Sequence, residues 1–161
     1  MSNSRPQAVL FVCTGNICRS PTAHALLLHK ARGAGLSIEV DSAAVSGEEL
    51  GNPPDRRAVV EARRRGVAMP AHRARRVEPG DFARFDWLVG MTHAHCAALR
   101  RLAPPGQEGR VRLLLDYVPE LAGEDVPDPW FGPPAAFVEA FDLIERGVDA
   151  LLAELAREVA A

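Results

Sequence analysis

The sequence has a single lysine, Lys30, a single tyrosine and only three cysteines in 161 residues, and it has no apolar run long enough to cross a membrane. With lysine almost missing, positive charge falls to arginine. The formal charge of -2 at pH 7 gives no overall pull toward nucleic acid or an anionic membrane surface, so neither is expected as a partner. Cys13, Cys18 and Cys96 are too few and too unevenly spaced for a disulfide framework or a paired metal site. Reduced thiols are expected. His93, His95 and Cys96 invite a metal reading, but residues two apart on a helix do not share a face, and no metal or other cofactor is expected. Met1 to Gln7 is polar, and the apolar run Ala8 to Cys13 is far shorter than a signal-peptide core, which makes the cytoplasm the expected compartment. No internal repeat or linker interrupts residues 1–161, a length that suits one domain with one well-buried core.

What is present alternates between two periods. Ala8 to Val12 is continuously apolar, as in a strand buried on both faces, and it runs into Gly15, Asn16 and Ser20-Pro21, which reads as strand, tight loop, helix. Ser20 is the predicted N-cap and Pro21 the first helical residue, with Ala25, Leu26, Leu28 and His29 on a helix that stops at Gly33 or Gly35. A second strand is predicted over Ser37 to Asp41, and a second helix over Pro54 to Arg65 with Ala58, Val59 and Ala62 inward. Phe85 to Met91 reads as a third strand, Thr92 to Leu102 as a helix, and Val111 to Leu115 as a fourth strand. Pro119 to Pro134 holds five prolines and no periodicity, and its Trp130-Phe131 pair argues for an ordered, functional loop. Phe137, Phe141, Ile144, Val148, Leu151, Leu155 and Val159 recur three or four apart, the core face of a long last helix. Buried strands alternating with helices predict an α/β fold whose parallel sheet is covered on both faces and binds ligands beyond the strands' carboxyl ends.

Cys13-Thr14-Gly15-Asn16-Ile17-Cys18-Arg19-Ser20 falls at that place. A glycine-containing loop between a buried strand and a helix start gathers backbone N–H groups on one point, at the positive end of the helix dipole. Such a nest binds a phosphate dianion and favours an anionic sulfur on Cys13. Arg19 adds a planar fork matched to two phosphoryl oxygens. Nucleophile and oxyanion clamp then belong to one loop, the alternative being a buried structural Cys13 and a surface Arg19. Asp128 by itself reads as a turn residue before proline. Arg56, Arg57, Arg63 to Arg65, Arg73, Arg75 and Arg76 read as solvated surface.

Val12-Cys13-Thr14-Gly15-Asn16-Ile17-Cys18-Arg19-Ser20-Pro21 closely resembles the signature loop of low-molecular-weight protein tyrosine phosphatases. The resemblance continues through Asp41-Ser42-Ala43, Gly51-Asn52-Pro53-Pro54-Asp55, His72-Arg73-Ala74-Arg75, Asp81-Phe82, Phe85-Asp86 and Asp128-Pro129-Trp130-Phe131-Gly132. It implies a four-stranded parallel sheet flanked by helices, and metal-independent hydrolysis of aryl phosphomonoesters. It also implies a nucleophile at Cys13 that becomes phosphocysteine, a phosphate clamp at Arg19, and at Asp128 a general acid that later activates water. Asn16, Ser20, Ser42 and His72 match positions that hold the loop or stabilise the thiolate, and Trp130 and Phe131 suit a pocket wall. Cys18 matches a cysteine that can cap the nucleophile reversibly as a disulfide. The implied partners are a phosphotyrosine-containing protein such as a cognate tyrosine kinase, with inorganic phosphate as product.

Several positions depart from the family. Glu48 stands where many members have an aromatic wall residue, His24 replaces a frequent Glu, Ala44-Val45 replaces Gly-Thr, and Thr92 replaces a common Asp. Three rival functions share parts of the pattern. A phosphoarginine phosphatase of this fold typically has Thr at the place of Ile17. An arsenate reductase needs two further shuttle cysteines, and only Cys96 is available. A non-enzymatic anion-binding or redox-sensing module has no use for a proton donor at Asp128.

Overall fold

The first strand, β1 (Gln7–Cys13), runs through the middle of the domain, and Ala8 to Val12 are fully buried. The computed structural model describes residues 6–160, so nearly all of the polar segment expected over Met1 to Gln7 lies outside the described residues. Side chains alternate across a strand, so a strand covered on both faces must be apolar at every position. Val9, Phe11 and Cys13 meet Leu26 and Leu27 of α1 (Arg19–Gly33) and Phe141, Ile144 and Val148 of α5 (Pro134–Ala160). Ala8, Leu10 and Val12 face the other way, against Phe82 of α3 (Asp81–Arg84) and Cys96 and Leu99 of α4 (His93–Leu102). Each large side chain so buried contributes about 1.5–3 kcal/mol.

β1 pairs in parallel with β2 (Ile38–Ala44) on one side and β3 (Trp87–Gly90) on the other, and β4 (Val111–Leu113) completes the order β2-β1-β3-β4. The expected α/β architecture, a four-stranded parallel sheet between helices, is therefore the observed one. Register sets Cys13 opposite Ala44 and Val12 opposite Gly90, so the carboxyl ends of three strands share one edge. Gly90 lets α4 approach that edge, because a Cβ there would lie 2.9 Å from Cys96 Sγ and 3.1 Å from its backbone nitrogen.

Element boundaries shift in informative ways. β2 continues through Ser42-Ala43-Ala44, whose small side chains carry little strand signal but are buried beside β1. β3 is shorter than predicted, and β4 gives way after Leu113 to a 3-10 turn over Leu114–Tyr117. Ser20 is not the N-cap: α1 starts at Arg19, and Cys18 precedes it without a capping side chain. Leu27 rather than Leu28 is buried in α1, and His29 is exposed. In α2 (Arg56–Arg64), Ala58 and Ala62 face inward as expected, with Glu61 buried beside them and Val59 only partly covered. The predicted stripe of α5 is buried from Phe137 to Leu155, and Val159 is exposed in the last turn.

Candidate active site

The loop after β1 is tied down at its base, where the Val45 and Ser46 amides donate to the carbonyls of Cys13 and Thr14, both at 3.0 Å. At its apex Asn16 adopts φ 61°, the left-handed region that asparagine tolerates better than most residues. The fully buried Asn16 side chain organises the loop. Its Oδ1 accepts from the Arg75 amide at 3.1 Å and lies 2.7 Å from His72 Nε2, while its Nδ2 donates to Ser20 Oγ at 2.9 Å. With its lone pair engaged by Asn16, the Ser20 hydroxyl is free to donate to Cys13 Sγ, 3.0 Å away. The Ser20 amide, at the start of α1, also donates to Cys13 Sγ at 3.4 Å. This is why Ser20 does not cap the helix: its hydroxyl serves the sulfur. The Cys13 sulfur thus meets the Ser20 hydroxyl and the Ser20 amide at the N-terminus of α1.

Arg19 is 5 % exposed, and its Nη1 donates to the Val126 carbonyl at 2.9 Å. That bond fixes the guanidinium at the loop, and Nη2 lies 3.6 Å from Asp128 Oδ2. Asp128 itself is half exposed, held by a bond from the Trp130 amide to its Oδ1 at 3.0 Å. Cys13, Thr14, Gly15, Ile17, Cys18, Arg19 and Asp128 surround one open cavity of about 210 Å³. Glu48, Trp130 and Phe131 also line it, and Phe131 is 95 % exposed. Burial, Cys13 and Asp55 push the Cys18 thiol well above its ordinary range, so Cys18 is a neutral thiol beside the pocket.

Ser42 stands one step back: its Oγ is 3.3 Å from both His24 Nδ1 and His72 Nε2, and it reaches the loop through His72. Burial lowers the pKa of His72 and takes His24 to about 4, so both imidazoles are neutral at pH 7.

Several contributors were not legible in the sequence. Glu49 joins Glu48 in the lining, and its Cγ lies 3.0 Å from where a Cβ on Gly15 would sit, so a side chain at position 15 would press on Glu49. His95 is buried, its Nδ1 accepts from the Thr92 amide at 3.2 Å, and Nε2–H therefore donates to Thr14 Oγ1 at 2.9 Å. Only the Thr92-to-His95 spacing, a capping-box position, hinted at a structural role. His93 is exposed and bonded near Gly123, and Cys96 contacts the Arg112 carbonyl, so the three residues do diverge. The arginines are less uniform than solvated surface. Arg75 bonds Asp41 and both oxygens of Asp81, Arg57 lies over the Trp130 and Phe137 rings at 5.0 and 4.4 Å, and Arg65 covers Phe141 at 4.3 Å.

A cysteine and an arginine six residues apart line one cavity where the end of a parallel strand turns into a helix, which defines an α/β protein with a strand–loop–helix of the phosphate-loop kind. The sequence profile of the low molecular weight phosphotyrosine protein phosphatases matches residues 8–161. A low molecular weight protein-tyrosine-phosphatase of Streptomyces coelicolor is 40 % identical over 156 residues, covering 94 % of each chain. The low molecular weight phosphotyrosine protein phosphatase of Homo sapiens is 35 % identical, covering 94 % of this chain and 98 % of its own. The crystal structure of YfkJ from Bacillus subtilis superposes with a TM-score of 0.91 at 36 % identity, covering 98 % of this chain and 99 % of the other. The chain belongs to the low molecular weight phosphotyrosine protein phosphatases, hydrolases acting on phosphoric monoesters.

Proposed function

We propose that the protein removes phosphate from phosphotyrosine in protein substrates through a phosphocysteine intermediate on Cys13. The observation that carries this reading is the meeting of Cys13, Arg19 and Asp128 around one cavity with an aromatic rim. The Cys13 thiolate attacks phosphorus while Arg19 and the loop amides hold the equatorial oxygens. Asp128 protonates the departing phenolate, and its carboxylate then takes a proton from the water that hydrolyses phosphocysteine to free thiolate and inorganic phosphate. Trp130 and Phe131 offer faces on which the substrate ring stacks. No step calls for a cofactor. The substrate's source is a tyrosine kinase, and the reduced thiols suit the cytoplasm. Cys18, on the same pocket wall as Cys13, supports reversible capping of an oxidised nucleophile as a Cys13–Cys18 disulfide.

The test is hydrolysis of phosphotyrosine, phosphoarginine and phosphoserine peptides in EDTA with reductant, beside the Cys13→Ser variant. Cys13-dependent turnover favouring phosphotyrosine is expected. Preference for phosphoarginine would keep the mechanism and overturn the substrate, and turnover of none would leave an anion-binding or redox-sensing module.

A further inference from the structure

Among the described residues, His24 of α1, Asp41 of β2 and His72 of the segment after α2 each place one donor atom within 4.8 Å of the other two. The group lies behind the loop, away from the cavity that holds Cys13. Two imidazoles and a carboxylate are a donor set suited to zinc and its borderline neighbours.

The proton positions sharpen the case. Asn16 Nδ2 donates to Ser20, and Asn16 Oδ1 already accepts from the Arg75 amide, so Oδ1 is an acceptor and His72 Nε2 carries the proton between them. The other ring nitrogen of His72, Nδ1, faces Asp41 Oδ1 at 3.8 Å. That is too long for a direct hydrogen bond. It is close to the spacing of two ligands on one tetrahedral zinc, about 3.3 Å for bonds of about 2.0–2.1 Å. His24 Nδ1 lies 3.3 Å from Ser42 Oγ, whose hydroxyl can rotate its hydrogen away when a metal takes the ring nitrogen. Asp41 Oδ2 pairs with Arg75, which is shared with Asp81, and Oδ1 accepts from the Ser42 amide at 2.8 Å. Metal-ligating histidines usually donate their other ring N–H to an oxygen acceptor, and the Asn16 side-chain carbonyl already occupies that place for His72.

The geometry points to a divalent-metal site of the zinc class at His24, Asp41 and His72, which fastens α1, β2 and the His72 segment together and braces the Cys13 loop through Asn16. It is a bracing site and takes no part in phosphoryl transfer, so its existence does not depend on the proposed substrate.

The experiment is zinc titration by calorimetry in the Cys13→Ser protein, where the nucleophilic thiol cannot compete for metal. One zinc per chain is expected, with affinity at least about tenfold weaker in Cys13→Ser proteins that also carry His24→Gln or Asp41→Asn, the least that even outer-shell changes cost. Imidazole NMR of the Cys13→Ser protein needs no further variant. Zinc is expected to shift His24 and His72 and to leave His29, His93 and His95 in place. Cobalt is expected to give ligand-field bands without thiolate charge transfer. No binding heat, unchanged affinity in folded His24→Gln and Asp41→Asn proteins, shifts at the other histidines, or a thiolate band from Cys18 or Cys96 would each overturn the assignment.

Discussion

Cys13 is 3 % exposed and sits in a loop where Asn16, Ser20, His72 and Arg75 form a continuous chain of hydrogen bonds, whereas the side chain of Asp128 is half exposed and is held by one turn amide and an ion pair at 3.6 Å. The first region is built in advance: strand, loop and helix arrive already paired, so little reorganisation is left when phosphate enters. The second hangs from a proline-rich segment whose burial rests mainly on Val126 and Pro129. The contrast matches the division of labour in the proposed reaction. An anion hole gains from rigidity, while a proton donor must admit a substrate ring and let a product leave.

Replacing the nucleophile tests the rigid side first. Cys13→Ser is expected to lower turnover by about 10⁴-fold or more while phosphate still binds, because the Arg19 clamp and the loop amides remain. Phosphate binding by calorimetry beside steady-state kinetics checks both halves. Asp128→Ala is expected to slow substrates with poor leaving groups by about 100-fold or more and good leaving groups far less. An equal loss for both would remove the contrast, since Asp128 would then be acting on the loop. Asn16→Ala is expected to cost about 1–3 kcal/mol in denaturant melts, because Ser20, His72 and the Arg75 amide each lose a buried partner, and to lower turnover with good and poor leaving groups alike.

The smallest effect concerns acid. His95 is buried against Thr14 and faces Arg19, Asp125 and Asp128, and burial followed by the Arg19 charge lowers its pKa from 6.5 to about 4. Between those values the unfolded chain binds the extra proton. Its contribution to stability is therefore full above pH 6.5, falls as pH drops toward 4, and falls no further below that. Denaturant melts of a His95→Asn variant are expected to show a shallower dependence over this window, by up to about 1.4 kcal/mol per pH unit.

The same two regions show what a sequence can disclose. The Cys13 loop is legible because its pattern is local: cysteine, glycine, arginine and helix start lie within eight residues, Cys13 to Ser20. Asp128 was legible only through resemblance, since one aspartate before a proline has no local signature. Ser20 was misread as an N-cap because the local rule for serine is blind to a sulfur seven residues upstream. β2 was read three residues short because Ser42, Ala43 and Ala44 owe their strand to pairing with β1. His95, Arg57 and Arg75 act on partners far away in the chain, Thr14, Trp130 and Asp41, and no spacing rule reaches that far.

The central claim is that phosphate passes through the Cys13 sulfur and that Asp128 serves the steps around it. It is tested most directly by acid-quenching the Asp128→Ala protein during turnover of an aryl phosphate with a good leaving group and mapping the product by mass spectrometry. The account predicts a stoichiometric burst of phenol and phosphate bound covalently to Cys13, accumulating because its hydrolysis has lost the base. Turnover that continues with no phosphate on Cys13, or that survives in Cys13→Ser, would contradict it.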